Sequence, residues 1–258
     1  MRGTCSLDER YRADALPAEP LLWAVAACWI RPPGCTLWVP MQSQPAHPKG
    51  GARHWDRRYS DAGAAGVSWY QPEPAMSLAL IDRLHVSKGA AVIDVGGGAS
   101  LLVDRLLTRG YTDLSVLDVS SKALEIARRR IGDSTPVRFL REDITTWRPE
   151  RQYALWHDRA VFHFLTHGAE RANYLTLMRQ ALGDSGAVII ATFASDGPER
   201  CSGLPVARYD ATDLERLLDG FTVVESRREE HVTPGGAVQP FTWIAANRDR
   251  SRDATGVA

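Results

Sequence analysis

Cysteine is scarce in this chain of 258 residues, and its spacing excludes more than it suggests. The four cysteines are Cys5, Cys28, Cys35 and Cys201, with three of them in the first 35 residues. No CxxC pair occurs, so neither a zinc site nor a disulfide framework can be read from the spacing. A reduced, cytoplasmic compartment is the simplest expectation. Net charge is also lacking: 31 basic residues balance 31 acidic ones, so no whole-chain field favours nucleic acid or an anionic membrane. There is no basic tract, no internal repeat, and no apolar run long enough to cross a bilayer. The longest N-terminal run, Leu21 to Ile30, is only ten residues, where about 20 are needed. A secretory signal would want that run after a cationic start, but Arg2, Arg10 and Arg12 are interleaved with Asp8, Glu9, Asp14 and Glu19. A Pro-rich stretch follows, with Pro32, Pro33, Pro40, Pro45 and Pro48. Residues 1–50 are therefore expected to be a poorly structured extension. Two explanations stay open: a flexible appendage, or translation from upstream of a functional start at Met41.

What the chain does have, from about residue 72, is an alternation of helical and strand patterns, the mark of a parallel sheet covered by helices. Pro72 and Pro74 precede an apolar stripe of Met76, Leu78, Leu80, Ile81 and Leu84. Strands are predicted at 91–95, 114–117, 137–140, 153–157 and 187–193. Helices are predicted between them at 101–108, 122–131 and 169–182. A short helix follows at 213–218, with Thr212 as its cap, and then strands at 221–227 and 241–246. The segment joining the last two, with Thr233-Pro234-Gly235-Gly236, is too short for a crossover helix, so these strands should form an antiparallel hairpin. The expected fold is α/β: a seven-stranded, mostly parallel sheet with helices on both faces and a C-terminal hairpin. It should occupy residues 51–250, leaving 251–258 as a disordered tail.

The first strand runs into Asp94-Val95-Gly96-Gly97-Gly98-Ala99-Ser100. A strand that ends in glycines and turns into a helix brings backbone N–H groups and a positive dipole end close to a ligand. A glycine turn alone is weak evidence. Asp94, inside the strand, would repel a pyrophosphate and suits a cationic ligand. Asp118 ends the next strand 24 residues on, where an acidic side chain grips ribose hydroxyls in nucleotide-binding folds. Its competing role is to cap the helix that follows Val119-Ser120-Ser121.

These residues resemble the class I S-adenosylmethionine-dependent methyltransferases, over roughly residues 53–247. The family's acidic-x-Gly-x-Gly-x-Gly turn falls on Asp94, Gly96 and Gly98, with Gly97 between them and Ser100 replacing the third glycine. The resemblance implies a Rossmann-like fold with S-adenosylmethionine as cofactor. It puts the ribose on Asp118 with Val119 beside it, the adenine at Asp143 and Ile144, and Asp158 near the cofactor.

Two segments should face the transferred methyl group. The first, residues 53–71, is rich in aromatics, and Trp55, Tyr59, Trp69 and Tyr70 are candidates to shape an acceptor pocket. Packing of Trp55 and Tyr59 on the core is the alternative. The second, residues 155–167, follows the fourth strand. It offers His157 and His163 as catalytic bases and Phe162 as a pocket residue. Cys201, in the polar loop after the fifth strand, would be reactive only if Arg200 lowered its pKa. His163 and His167 share a helical face, but no acidic partner is in register and no metal is expected. The expected activity is methyl transfer to a small molecule, without nucleic acid or membrane as partner. A protein-lysine acceptor is the runner-up. An NAD-dependent oxidoreductase and a non-catalytic S-adenosylmethionine-binding protein are the alternatives of other classes.

Overall fold

The computed structural model describes residues 50–132 and 135–249. The expectations for residues 1–49 and 251–258, including the Met41 start and three of the cysteines, lie outside the described residues. Sixteen elements follow one another. Helices α1 (Ala52–Ala62) and α2 (Ala75–Arg83) lead to strand β1 (Val92–Val95). Then come α3 (Leu102–Thr108), β2 (Leu114–Asp118), α4 (Ser121–Ile131), β3 (Val137–Arg141) and β4 (Tyr153–Arg159). After a 3₁₀ turn at Phe162–Phe164 come α5 (Gly168–Ala181), β5 (Leu182–Phe193) and a small ribbon, β6 (Arg200–Cys201) with β7 (Leu204–Pro205). Helix α6 (Ala211–Leu217) and the hairpin β8 (Phe221–Val232) and β9 (Val238–Arg248) complete the described chain.

Seven strands form one sheet in the order β3-β2-β1-β4-β5-β9-β8. The first five are parallel; β9 runs antiparallel to β5, and β8 closes the edge antiparallel to β9. Strand alternation sorts the core into two layers. Leu155 of β4, Ile189 and Ala191 of β5 and Trp243 of β9 face one way, against Leu80 of α2 and Leu102 and Leu106 of α3. Ile93, Trp156, Val188 and Ile244 face the other way, against Tyr174 and Met178 of α5 and Leu214 of α6. Helices therefore cover both faces, as the alternation of patterns predicts. No described helix is long and apolar enough to cross a membrane.

Several element ends differ from those the sequence predicts. Helix α6 starts two residues early, because Asp210 and Asp213 form a reciprocal capping box, so Asp210 rather than Thr212 is the cap. Strand β5 begins at Leu182, where α5 hands over directly to the sheet. The hairpin is longer than its apolar stretch: β8 continues through Arg228, Glu229 and Glu230 as a charged edge strand, a composition that discourages pairing with another chain. The ribbon β6–β7 occupies a polar segment whose sequence predicts a loop. Its two-residue turn, Ser202-Gly203, has φ of +50° and +81°, the positive pair that tight hairpins require.

Candidate functional site

The carboxyl ends of β1, β2, β4 and β5 open onto a cavity of about 900 Å³, open mouth included. One half is lined by Gly96, Leu117, Asp118, Val119, Glu142, Asp143 and Ile144. The other is walled by Trp55, Trp69, Phe164, Phe193 and Phe241, with Arg159, Cys201 and Gln239 among them. A smaller adjoining cavity is lined by Tyr70, Ser77, Asp94, Gly96, Gly97 and His157, and shares Tyr59, Trp69 and Arg159 with the larger one.

The glycine turn is built for close approach. Gly98 has φ +48°, and a Cβ there would lie 2.7 Å from the Tyr59 hydroxyl and 2.8 Å from Asp118 Oδ2. A Cβ on Gly96 would collide with Val161, and one on Gly97 with the Asp94 carboxylate. Gly98 lies beneath Tyr59 rather than on a cavity wall. Helix α4 places Asp118: Ser120 is its cap, its Oγ accepting from Ala123 N at 3.1 Å. Asp118 does not cap this helix; its Oδ1 accepts the Ser120 N–H at 2.7 Å. Burial, with the charges of Asp94 and Asp56 added, pushes its pKa up to about 7, against the pull of the Ser120 and Val119 amides. Asp56 of α1 accepts from Ser120 Oγ at 2.7 Å and Lys122 N at 3.0 Å, which docks α1 on the start of α4. Burial raises its carboxyl, but these bonds, with Ser121 and Arg141, hold it below the usual carboxylate range.

Asp94 is buried and paired with His157, Nδ1 to Oδ1 at 2.7 Å, while His157 Nε2 meets Ser77 Oγ at 3.0 Å. His157 thus has both ring nitrogens engaged and orients Asp94 beside the smaller cavity, which it also lines. The other β4 candidates divide by parity. Asp158 points to the opposite face, where its carboxylate accepts Val161 N at 2.8 Å, Phe162 N at 3.1 Å and the Tyr174 hydroxyl. Burial raises its pKa to about 6. It shapes the turn that carries Val161 against Gly96 and lines neither cavity. Phe162 is fully buried against Tyr174 and Tyr209, away from the pocket assigned to it. His163 is also fully buried, between Phe164 and Phe193, and its Nδ1 accepts the Phe193 N–H at 3.4 Å. Burial, aided by Arg159, drives its pKa down to about 3, so it is a neutral core histidine. Cys201 does reach the cavity, but burial pushes its thiol up to about 11, so the reactive thiolate is not formed.

Trp55, Tyr59 and Trp69 stack edge to face on one another and on Phe164, with ring centroids 5.1–5.9 Å apart, and they close the cavity from the α1 side. Arg159, which the sequence reading passed over, stands where the two cavities meet. Its neighbour Ala160 has φ +71°, a left-handed exit from β4 that turns the chain sharply at the cavity wall. Among the described residues no group of three or more His, Cys, Asp or Glu side chains could hold a metal ion.

Residues 92–186 match a family profile described as a methyltransferase domain. Malonyl-[acyl-carrier protein] O-methyltransferase 1 of Ilyobacter polytropus is 23% identical over 145 residues, which cover 54% of this chain and 53% of that protein. The chain thus spans about half the length of this relative. EEF1A lysine methyltransferase 2 of Danio rerio is 22% identical over 159 residues, covering 55% and 68%. Among solved structures, the Burkholderia thailandensis 1,6-didemethyltoxoflavin-N1-methyltransferase, with its didemethyltoxoflavin and S-adenosylhomocysteine bound, superposes with a TM-score of 0.56. It is 21% identical, over 77% of this chain and 84% of that one. The fold is that of the class I S-adenosylmethionine-dependent methyltransferases.

Proposed function

We propose that the protein is a methyltransferase that uses S-adenosylmethionine and acts on a small-molecule acceptor. One observation carries the reading. Asp118 is a buried carboxylate at the end of β2 that lines a cavity beside a glycine turn packed too tightly to admit a Cβ. Such a carboxylate accepts two ribose hydroxyls, and Glu142, Asp143 and Ile144 line the position of an adenine. Asp94, held by His157, supplies the negative charge that a ligand with an ammonium group needs.

When bound, S-adenosylmethionine offers a methyl group on a cationic sulfur that is already an excellent leaving group. The chain's contribution is then alignment and exclusion of water. Trp55, Trp69 and Phe164 enclose the acceptor half of the cavity. No histidine is among the described residues that line the larger cavity, and the Cys201 thiol stays protonated at neutral pH. The acceptor therefore brings its own nucleophile, ready without a protein base. An enclosed aromatic pocket suits a small molecule. The likeness to a protein-lysine methyltransferase makes lysine the second reading, but a lysine ammonium would face the Arg159 guanidinium here. Incubating the protein with methyl-labelled cofactor and a panel of thiols, amines, carboxylates, phenols and cell-extract proteins decides between them. Label in a small molecule is expected; label only in protein would overturn the acceptor class.

A further inference from the structure

We propose that Arg159 is the anchor for an anionic group, a carboxylate or its equivalent, on the methyl acceptor. The inference rests on the reading of the cavity as a methyltransferase site. Arg159 ends β4, and strand parity turns its side chain to the same face as Asp94 and His157, into the junction of the two cavities. Nη1 donates to the Trp69 carbonyl at 2.8 Å, and the guanidinium stacks on Phe241 with 4.9 Å to the ring centre. These two contacts fix its plane. Nε and Nη2 are buried and have no hydrogen-bond partner. Together they form the side-on fork of a guanidinium, the edge that meets a carboxylate with two parallel bonds.

The nearby acids do not answer that fork. Glu229 Oε1 accepts from Gln71 Nε2 at 2.8 Å and its Oε2 from Trp243 Nε1 at 2.9 Å. Asp94 is committed to His157. Among the described residues, no ion pair is made by Arg159. A charge buried in this way is costly unless something pairs with it. Burial lowers its pKa only to about 10, so it remains a cation at neutral pH. The acceptor half of the cavity contains no carboxylate, whereas the adenosyl half holds Asp118, Glu142 and Asp143. An anion would thus be drawn to the wall formed by Phe241, Phe193 and Arg159 and repelled from the opposite end. The apolar surroundings suit an aromatic or alkyl body behind the anionic group.

A carboxylate could also come from the amino-acid end of the cofactor, since Arg159 borders the smaller cavity as well. Calorimetry on the full chain saturated with S-adenosylhomocysteine separates the two sources. The probes are benzoate, phenylacetate and 3-phenylpropanoate, each against its primary amide. At least one acid is expected to bind the wild-type complex about tenfold or more tighter than its amide. Arg159→Gln is expected to remove that preference while leaving the affinity for S-adenosylhomocysteine within about threefold. Equal binding of acids and amides, or no binding by any acid, would overturn the proposal. So would an S-adenosylhomocysteine affinity that falls about tenfold or more in the variant, because the fork would then serve the cofactor. The wild-type acid–amide comparison decides even if Arg159→Gln does not fold. A wild-type protein that fails to bind S-adenosylhomocysteine at all would instead strike at the proposed function.

Discussion

Asp118 sits near its own midpoint of ionisation at physiological pH, with a pKa raised to about 7. Ribose hydroxyls donate to the ionised form, so a proton competes with the ligand. Affinity for S-adenosylhomocysteine should be full above pH 7 and fall as pH drops below it, by up to about tenfold per unit. The groups facing Asp118 are Asp94, Asp56, the Tyr59 hydroxyl and the Ser120 and Val119 amides. Asp118→Asn should flatten this pH dependence, and Asp118→Ala should weaken binding about a hundredfold or more, since two charge-assisted bonds of about 1.5–3 kcal/mol each are lost. A titration repeated from pH 5.5 to 8.5, in about half-unit steps, checks both. His163→Ala should behave differently: a cavity in the core, costing about 2 kcal/mol or more, with cofactor affinity unchanged in calorimetry. Asp118 and the glycines were legible in the sequence because strand, turn and carboxylate lie on one short βαβ stretch. Arg159 was not. Its importance comes from Phe241, Trp69 and Glu229, which lie 70 or more residues away and meet it only in the folded chain. His163 attracted attention by standing just past a strand end, yet a single 3₁₀ turn swings it into the core.

The turn after β4 couples core and cavity. Asp158 accepts the Val161 and Phe162 amides and the Tyr174 hydroxyl, and Val161 presses on Gly96. Asp158→Ala would leave those donors buried without an acceptor, at about 1–3 kcal/mol each. The melting temperature should drop by several degrees, and affinity for S-adenosylhomocysteine should weaken even though Asp158 lines neither cavity. Unchanged melting would show that the turn holds without it. At the other wall, α1 depends on Asp56 at the head of α4. Asp56→Ala should loosen the aromatic lid, raising protease sensitivity of α1 at its arginines. Existence and order of the seven sheet strands and of α2 to α6 were readable from apolar periodicity, while α1 and the ribbon β6–β7 were not. Their ends were less so, because ends are set by caps and by pairing. Asp210 and Asp213 form the α6 capping box through reciprocal side-chain bonds, and β8 extends through charged residues because β9 offers it partners as far as Val238.

At the scale of the molecule, a parallel sheet with a hairpin edge gathers its chemistry at one end. Asp118, Glu142 and Asp143 line one side of the cavity, and the Arg159 guanidinium with an aromatic wall lies on the other. The sheet was foreseeable because strands alternating with helices admit few arrangements. The aromatic wall of the cavity was not, because it is assembled from α1, β5, β6 and β9. Saturating S-adenosylhomocysteine, at about 100 times its dissociation constant, should stabilise the fold by about 2.7 kcal/mol, a rise in melting temperature of roughly 5–10 °C. The most direct measurement is titration calorimetry of the wild-type chain with S-adenosylmethionine, S-adenosylhomocysteine and NAD. One-to-one binding of both adenosyl ligands with no heat from NAD is the expected result. Tight NAD binding with no signal from either adenosyl ligand would contradict the assignment of Asp94, the glycine turn and Asp118 to a methyl donor.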